Sequence, residues 1–518
     1  MTTHKRLRVV ILKPSKYDPH GFVERFRLGF MPNSTVPYLR SMTPDEFEGA
    51  SLEVHAVDEY VQNDLEYLRL LEATSDPTLV AFVGVQSHQL HRSLDLAAYA
   101  LRHGVAHVVI GGPHPMTCDT SMLQNRGVSF ALAEAEMVWS TILHDALSGQ
   151  LQSVYGQQQR WQKHLDAPVL IPPSRRDLRR YIIPMLGVYP ARGCPFICNF
   201  CSVIKIAGRQ IRSQSIETTL ASLRAARDAG VHMIMFTSDN FNKYREAPEL
   251  LRAMIAEGLR TPFFVQCDTQ IARQEEFVDL LARAGCFQMF VGVESFNRQV
   301  LLEAKKFQNF PERYGQIIRL CRARAIATHF SNIIGFPADT REGILDHLGV
   351  LRQMAPDVAS FYILTPIPGT EQYDDFMARG LITEKNLDRF DGCTPTWQHP
   401  HLEGKELTDL LYHCYRNFYT PLHVSRRSVF GYSGRGKWFV VGANLGYSIF
   451  ARYSGWRRMH PMSGGIWRVA RDHARDYLAL RKDRFGFELA PLPESLTLSA
   501  ADQAFNESRQ SAAASGQL

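Results

Sequence analysis

Three cysteines stand within the stretch ARGCPFICNFCSV, residues 191–203: Cys194, Cys198 and Cys201, at the spacing C-x3-C-x2-C. Two thiols make a disulfide, and four thiolate or imidazole donors close a zinc tetrahedron. A set of three does neither. The other six cysteines (118, 267, 286, 321, 393 and 414) are scattered and offer no second pair. Cysteines so close together can also be buried apolar residues, but the Pro and Asn between them argue for a loop. A [4Fe–4S] cube normally takes four thiolates, and held by three it keeps one iron open to a small molecule. The spacing favours that reading over zinc.

The elements that must position this loop come next. A chain of 518 residues is long enough for about three domains. The first 150 residues alternate apolar runs with helical patterns: RLRVVIL (6–12), SLEVHAV (51–57), TLVAFVGV (78–85), AHVVIGG (106–112) and VSFALAE (128–134). Strands apolar throughout, alternating with helices, predict a doubly wound parallel sheet covered on both faces, with ligands outside the carboxyl strand ends. Residues 151–180 are polar with a Pro pair and read as a linker. From 181 to 400 the alternation restarts with six strand candidates, beginning at MLGVYPARG and ending at SFYILTPIPGT. Six β/α units predict a partial (β/α)6 barrel, whose chemistry belongs at the carboxyl strand ends. The cysteine loop follows the first of those strands. Residues 401–498 are irregular and aromatic and predict a mainly α cap over the barrel mouth. Residues 499–518 are small and polar and predict a disordered tail.

The cysteine spacing, with Phe200 just before the last Cys, resembles the signature of the radical S-adenosylmethionine (SAM) enzymes. In that family SAM chelates the open iron and is cleaved to a 5′-deoxyadenosyl radical, which takes hydrogen from the substrate. The resemblance extends along the strand ends and assigns SAM-binding roles there. FTSDNF places Thr237, Ser238 and Asp239 beside the SAM amino group, similar to the D-D-N-F form of the cobalamin-linked branch with Ser238 at the first Asp. VGVES gives Glu294 to the ribose, NIIGFP sets Ile334 and Gly335 against the adenine, and TPIPGT contributes Pro366. KKFQN (305–309) is also similar to this branch.

The first domain resembles the cobalamin-binding domain of the same branch. Ser87 stands where the family has a Ser near the nucleotide tail, Gly111 and Gly112 at its Gly-Gly, and Glu134 and Glu136 in its G-E-x-E with Ala133 in the Gly position. Glycine there would let backbone approach a large planar ligand. The chain departs from the family's D-x-H-x-x-G loop: Asp18 and His20 keep the spacing, but Val23 replaces its Gly. That counts against His20 as a lower cobalt ligand. His88, His91 and His114 lie near the expected ligand edge without a ligand pattern.

The resemblance implies a cobalamin-dependent C-methyltransferase acting on an unactivated carbon of a small-molecule or lipid substrate, with a [4Fe–4S] cluster, SAM and cobalamin. It also implies an external electron donor of flavodoxin or ferredoxin type. Radical cyclisation or rearrangement without methyl transfer is the alternative. A methylthiotransferase-like enzyme would carry three further cysteines in its first domain, and residues 1–150 hold only Cys118. The chain's net charge of +6 is concentrated at the end, where residues 425–485 carry eleven Arg and two Lys against three Asp. With interleaved aromatics, that segment reads as a cap, as a membrane-surface contact, or least readily as a nucleic-acid site. The odd cysteine count and the short apolar run at the N-terminus suit a cytoplasmic protein, peripheral to the inner membrane if the segment contacts lipid.

Overall fold

Arg6–Lys13 is the central strand of the first sheet, and Leu7 through Leu12, apart from Arg8, are fully buried. In the computed structural model, which describes residues 5–18, 22–125, 127–384, 386–429, 437–457 and 465–469, this strand is flanked by parallel neighbours on both sides. The main strands run in the order Ala50–Asp58, Arg6–Lys13, Thr78–Phe82, His107–Gly111 and Val128–Ala131. That is the 2-1-3-4-5 order of a doubly wound sheet. A short parallel strand at Val154–Tyr155 and a hairpin strand at Glu46–Phe47 extend the two edges. Apolar layers lie on both faces of the four strands from Arg6–Lys13 to Val128–Ala131, which is why these show no alternation, whereas Ala50–Asp58 toward the edge alternates buried and exposed residues.

The second sheet has six parallel strands in chain order: Leu186–Val188, Ile234–Phe236, Phe263–Cys267, Cys286–Glu294, Ala327–Ile334 and Val358–Ile363. All six match the sequence expectation in place and order. Sequential order with right-handed crossovers puts every helix on one face. Ile234, Val265, Met289, Val291 and Phe330 pack toward the helices. The opposite face lines the interior of an incomplete barrel.

An open barrel leaves an edge strand, and an edge strand leaves backbone groups unpaired. Here the helix Gly404–Phe418 and the residue after it cover that edge. Tyr415 Oη accepts from Phe361 N–H and donates to Phe361 C=O, each at 3.0 Å. Tyr419 Oη does the same at Ala359, at 2.9 and 2.6 Å.

The helix Lys437–Arg457 packs at the amino ends of the last two strands: Asn444 donates to Asp357 C=O at 2.9 Å, and Val440 packs on Ala327. The expectation of a cap over the barrel mouth is thus corrected for this helix, which lies at the opposite end. The last two strands turn their amino ends toward it, and Val440 and Asn444 are buried against them. Two short strands far apart in the chain, Phe26–Gly29 and Gly465–Arg468, pair antiparallel beside it. His20, most of the basic segment after 469 and the tail 499–518 lie outside the described residues. Among the described residues, no helix is long and apolar enough to cross a membrane.

Candidate active site

The cysteine loop leaves the first barrel strand through Arg192 and Gly193. Gly193 has φ +107°, and a Cβ there would lie 2.3 Å from Gln210 C=O, so only glycine fits. Its N–H donates to Asp239 Oδ2 at 2.8 Å, which ties the loop to the end of the second strand. All three cysteines are free thiols of intermediate exposure. Burial raises the Cys194 thiol and pushes the Cys201 thiol up to about 12, and each is raised further by the neighbouring thiols of the set. Among the described residues no three His, Cys, Asp or Glu side chains gather tightly enough for a single ion. Zinc would need its thiolates about 2.3 Å from one centre. A multi-iron cluster, with each thiolate on its own iron, suits a wider set.

The neighbouring strand ends supply polar contacts to that loop. Asn240 Nδ2 donates to Cys194 Sγ at 3.1 Å. Thr237 Oγ1 donates to Val188 C=O at 2.9 Å, whereas Ser238 Oγ is buried without a partner. Burial raises the Asp239 carboxyl, against the Gly193 N–H that holds it down. Of the two hydroxyls in this run, that of Ser238 alone is buried and unpaired.

Glu294 sits at a register shift of the fourth strand with φ +59°, a costly conformation for a side chain other than glycine. Its Oε1 pairs with Lys306 Nζ at 2.6 Å. Burial lowers the Lys306 ammonium, but the Glu294 carboxylate and the Cys198 and Cys201 thiols together outweigh it and raise it. Two more residues of the KKFQN run work at the same place. Asn309 Nδ2 donates to the carbonyls of Gly292 and Val293 at 3.0 and 2.9 Å, and Gln308 Nε2 lies 3.6 Å from Cys198 Sγ. Amide donors to a ligand sulfur tune a cluster without binding iron. Gln308→Ala should therefore lower activity about 10-fold with the fold intact. Steady-state rates and the cluster's midpoint potential, measured on the same preparation, check this.

Phe200 stacks edge-on to Phe336 with centroids 5.9 Å apart, and Lys306 Nζ lies 5.7 Å from its ring centre. Ile334 C=O is occupied by Leu364 N–H at 2.9 Å. Gly335 and Phe336 donate their N–H groups to Asp339 Oδ2 at 2.9 and 3.0 Å. Pro366 is buried, and the TPIPGT turn meets the first domain at Gly369, against Thr117.

Burial pushes the Asp339 carboxyl up to about 6, against those two N–H groups. The folded chain thus keeps this proton between about pH 4 and 6, where the unfolded chain has released it. Stability therefore falls as pH rises through that window. Asp339→Asn should remove this fall, a difference on the order of 2 kcal/mol, seen as a flatter urea midpoint between about pH 4 and 7.

In the first domain a cavity of about 440 Å³ opens at the carboxyl strand ends. It is lined there by Gly84, Gly111 and Gly112, and it descends past Ala81 and Ala131 toward Trp139 and Ile142. Its far wall belongs to the barrel: Tyr189, Arg192, Thr237 and Asp239. Gly112 has a reason of its own: at φ +137° a Cβ would lie 2.1 Å from Val85 N. Backbone approach therefore requires this glycine before any ligand is considered. Ser87 is turned to His114, Oγ to Nδ1 at 2.9 Å, and burial lowers the His114 ring to about 3. Burial likewise lowers His88 to about 3, and His91 Nδ1 lies 2.9 Å from Asp388 Oδ1.

Glu134 is bound by the barrel. Arg212 forks onto it, Nη1 to Oε2 at 2.7 Å and Nη2 to Oε1 at 2.8 Å, and Arg192 adds a contact at 3.3 Å. Arg192 also pairs with Glu136 at 3.0 Å, while Tyr38 Oη donates to the same carboxylate. This charged cluster joins the two α/β units beside the cavity. Arg192 precedes the cysteine loop by two residues, so the cluster also steadies that loop. Sequence reasoning missed Arg192, Arg212 and Lys306; the KKFQN run was the one signal that pointed at Lys306.

Residues 188–351 match the model of the Radical SAM superfamily. The chain is 26% identical over 333 residues to bacteriochlorophyllide d C-12(1)-methyltransferase of Chlorobaculum tepidum, covering 62% of this chain and 70% of that one. Its fold is similar to that of TsrM from Kitasatospora setae, a radical S-adenosylmethionine methyltransferase solved with cobalamin and a [4Fe–4S] cluster. That likeness has a TM-score of 0.64 at 15% identity, over 87% of this chain and all of TsrM. It is also similar in fold to OxsB, a cobalamin-dependent S-adenosylmethionine radical enzyme solved with aqua-cobalamin and S-adenosylmethionine. There the TM-score is 0.56 at 14% identity, over 98% of this chain and 83% of OxsB.

Proposed function

We propose, from the premise that residues 188–351 form a radical SAM domain, that this chain is a cobalamin-dependent C-methyltransferase. Its substrate would be a lipid, pigment or secondary metabolite methylated at an unactivated carbon. The observation that carries the reading is the shared cavity, where the carboxyl strand ends of the first sheet face the residues that anchor the cysteine loop. Residues 1–150 would be the cobalamin domain, 181–400 the catalytic barrel and 401–498 its extension. Cys194, Cys198 and Cys201 would hold the [4Fe–4S] cluster. Ser238, with its unpaired hydroxyl, and Glu294 are the side chains offered to SAM. The channel of small residues from Gly84 and Gly111 down to Ala131 would admit a flat cofactor with a narrow tail. When bound, these groups supply hydrogen-atom abstraction from carbon and a transferable methyl group.

The chain's own residues orient and insulate. Lys306 balances the Glu294 carboxylate beside the cysteine loop, so charge there is matched before any ligand arrives. Arg192 and Arg212 fix the two units against each other, so the cavity keeps its shape. An external flavodoxin- or ferredoxin-type donor would supply electrons. An exposed stripe on the helix Lys437–Arg457 (Trp438, Leu445, Ile449 and Tyr453) and the basic residues around it support contact with an anionic membrane face. A place at the cytoplasmic side of the inner membrane fits that contact.

The test is anaerobic preparation with iron, sulfide and cobalamin, followed by an absorbance spectrum and product mass. Cobalamin bands beside the cluster's absorption, with one methyl gained per product, are expected. Loss of hydrogens without a methyl would favour a cyclase, and absence of cobalamin bands would overturn the methyltransferase reading.

A further inference from the structure

A second cavity, of about 500 Å³, lies inside the barrel at its amino end, away from the cysteine loop. Barrels of this kind normally fill that region with side chains. Here the inward residues of four strands (Met235, Phe264, Phe290 and Tyr362) stop short of the helix Lys437–Arg457. That helix turns Gly442 and Gly446 to the space, and a Cβ at either glycine would meet no atom within 4 Å. Trp438, 81% exposed, stands at the rim. The exposed stripe of the same helix runs on from it, so the mouth opens on an apolar surface.

Besides Gln266, the wall carries a polar group held by a relay. Gln288 Nε2 lies 2.9 Å from His329 Nδ1, and His329 Nε2 lies 3.2 Å from Ser360 Oγ. Burial lowers the His329 ring to about 3, so it is neutral and takes one tautomer: Nδ1 accepts from Gln288 and Nε2 donates to Ser360. The relay fixes the Gln288 amide. Its carbonyl oxygen is left buried, 6% of the residue being exposed, with no partner. That oxygen has almost no surface of its own open to the cavity, so a ligand donor reaches it with a small shift of the wall, and leaving it unpaired costs about 1–3 kcal/mol. A cavity of this size, mostly apolar with few convergent polar groups, has the make-up of a small-molecule site.

The two cavities are stacked. Met235 lines the lower one and Thr237 the upper, two residues apart on the same strand face, which is about 7 Å. Between them Gly187 makes room for Ser34; a Cβ there would lie 1.8 Å from Ser34 Oγ.

We infer that this lower cavity binds the apolar body of an elongated ligand carrying one hydroxyl or N–H donor, which Gln288 receives. The inference rests on the proposed function only in taking that ligand as the methylation substrate. It narrows the substrate class to molecules with a long apolar portion that enter from the amino end of the barrel.

The test uses the full-length holoenzyme and 1-aminoanthracene as fluorescent probe, displaced by 1-dodecanol or by its methyl ether. Saturable displacement at one site per chain is expected, with the alcohol favoured about 10-fold over the ether. Gly446→Leu should fill the cavity and abolish probe binding, while Gly442→Ala, which adds one methyl, should keep it. Gln288→Leu should bind both competitors and lose the preference. No saturable binding, or binding indifferent to Gly446→Leu with Gly442→Ala folded normally, overturns the inference, as does an alcohol preference that survives Gln288→Leu. The same preparation is assayed for 5′-deoxyadenosine formation from SAM. Probe binding lost with SAM cleavage kept removes the inference alone; probe binding kept without SAM cleavage removes the functional reading alone.

Discussion

Cys198→Ala is expected to fold normally and to form no 5′-deoxyadenosine above background. The two halves of that expectation have separate causes. The loop 193–203 lies over the carboxyl strand ends, and Cys198 is neither fully buried nor part of an apolar core. Removing a partly exposed thiol outside the apolar cores costs within about 0.5 kcal/mol. Function should respond differently, because in the proposed cluster site each of the three thiolates would be one of only three anchors. Residues that merely support a metal ligand cost about 10–100-fold when removed. Loss of a ligand itself should exceed that range, with iron per chain and the cluster's absorbance falling together. Cys267→Ala is the matched control. That thiol is buried in the barrel core, where burial holds it well above the usual thiol range. Its loss should lower the unfolding midpoint and leave iron content unchanged. If Cys198→Ala retained full iron and SAM cleavage, the assignment of the loop would fail.

What the sequence made legible follows from the range of the physics involved. Buried parallel strands are largely apolar, so eleven of them could be placed from local runs such as VVIL and FVGV. The cysteine triad was legible because its spacing is local too. The contacts that assemble the site are not local. Arg212 meets Glu134 across 78 residues, and Lys306 reaches Glu294 around a turn whose positive φ no propensity announces. Tyr415 and Tyr419 looked like two more aromatics in an irregular, aromatic stretch. Their hydroxyls in fact complete an edge strand more than 50 residues earlier. The pairing of Phe26–Gly29 with Gly465–Arg468 joins segments over 400 residues apart, beyond any pattern argument. For the same reason the helix Lys437–Arg457 was expected at the wrong end of the barrel.

Arg212→Ala is the second large effect, and it falls on stability. Glu134 is 6% exposed, and the Arg212 guanidinium meets it with two near-parallel hydrogen bonds. Breaking a buried pair by removing one partner costs about 3–5 kcal/mol, because the remaining charge stays desolvated. Arg192 stands 3.3 Å from the same carboxylate and should take up part of the load, so about 3 kcal/mol is the better expectation. Arg212 also donates to the carbonyls of Gln162 and Ala207, at 3.0 and 2.9 Å, and these too are lost. Arg212→Lys keeps the charge but not the fork, and should recover less than half. The decisive variant is the double one. In Arg212→Met with Glu134→Gln no charge is stranded, so it should be more stable than Arg212→Met alone, with a coupling of about 1–3 kcal/mol. Thermal unfolding of the four proteins measures this directly. Additive single effects would mean that Glu134 does not depend on Arg212. In that case the charged cluster would not be what fastens the first domain to the cysteine loop.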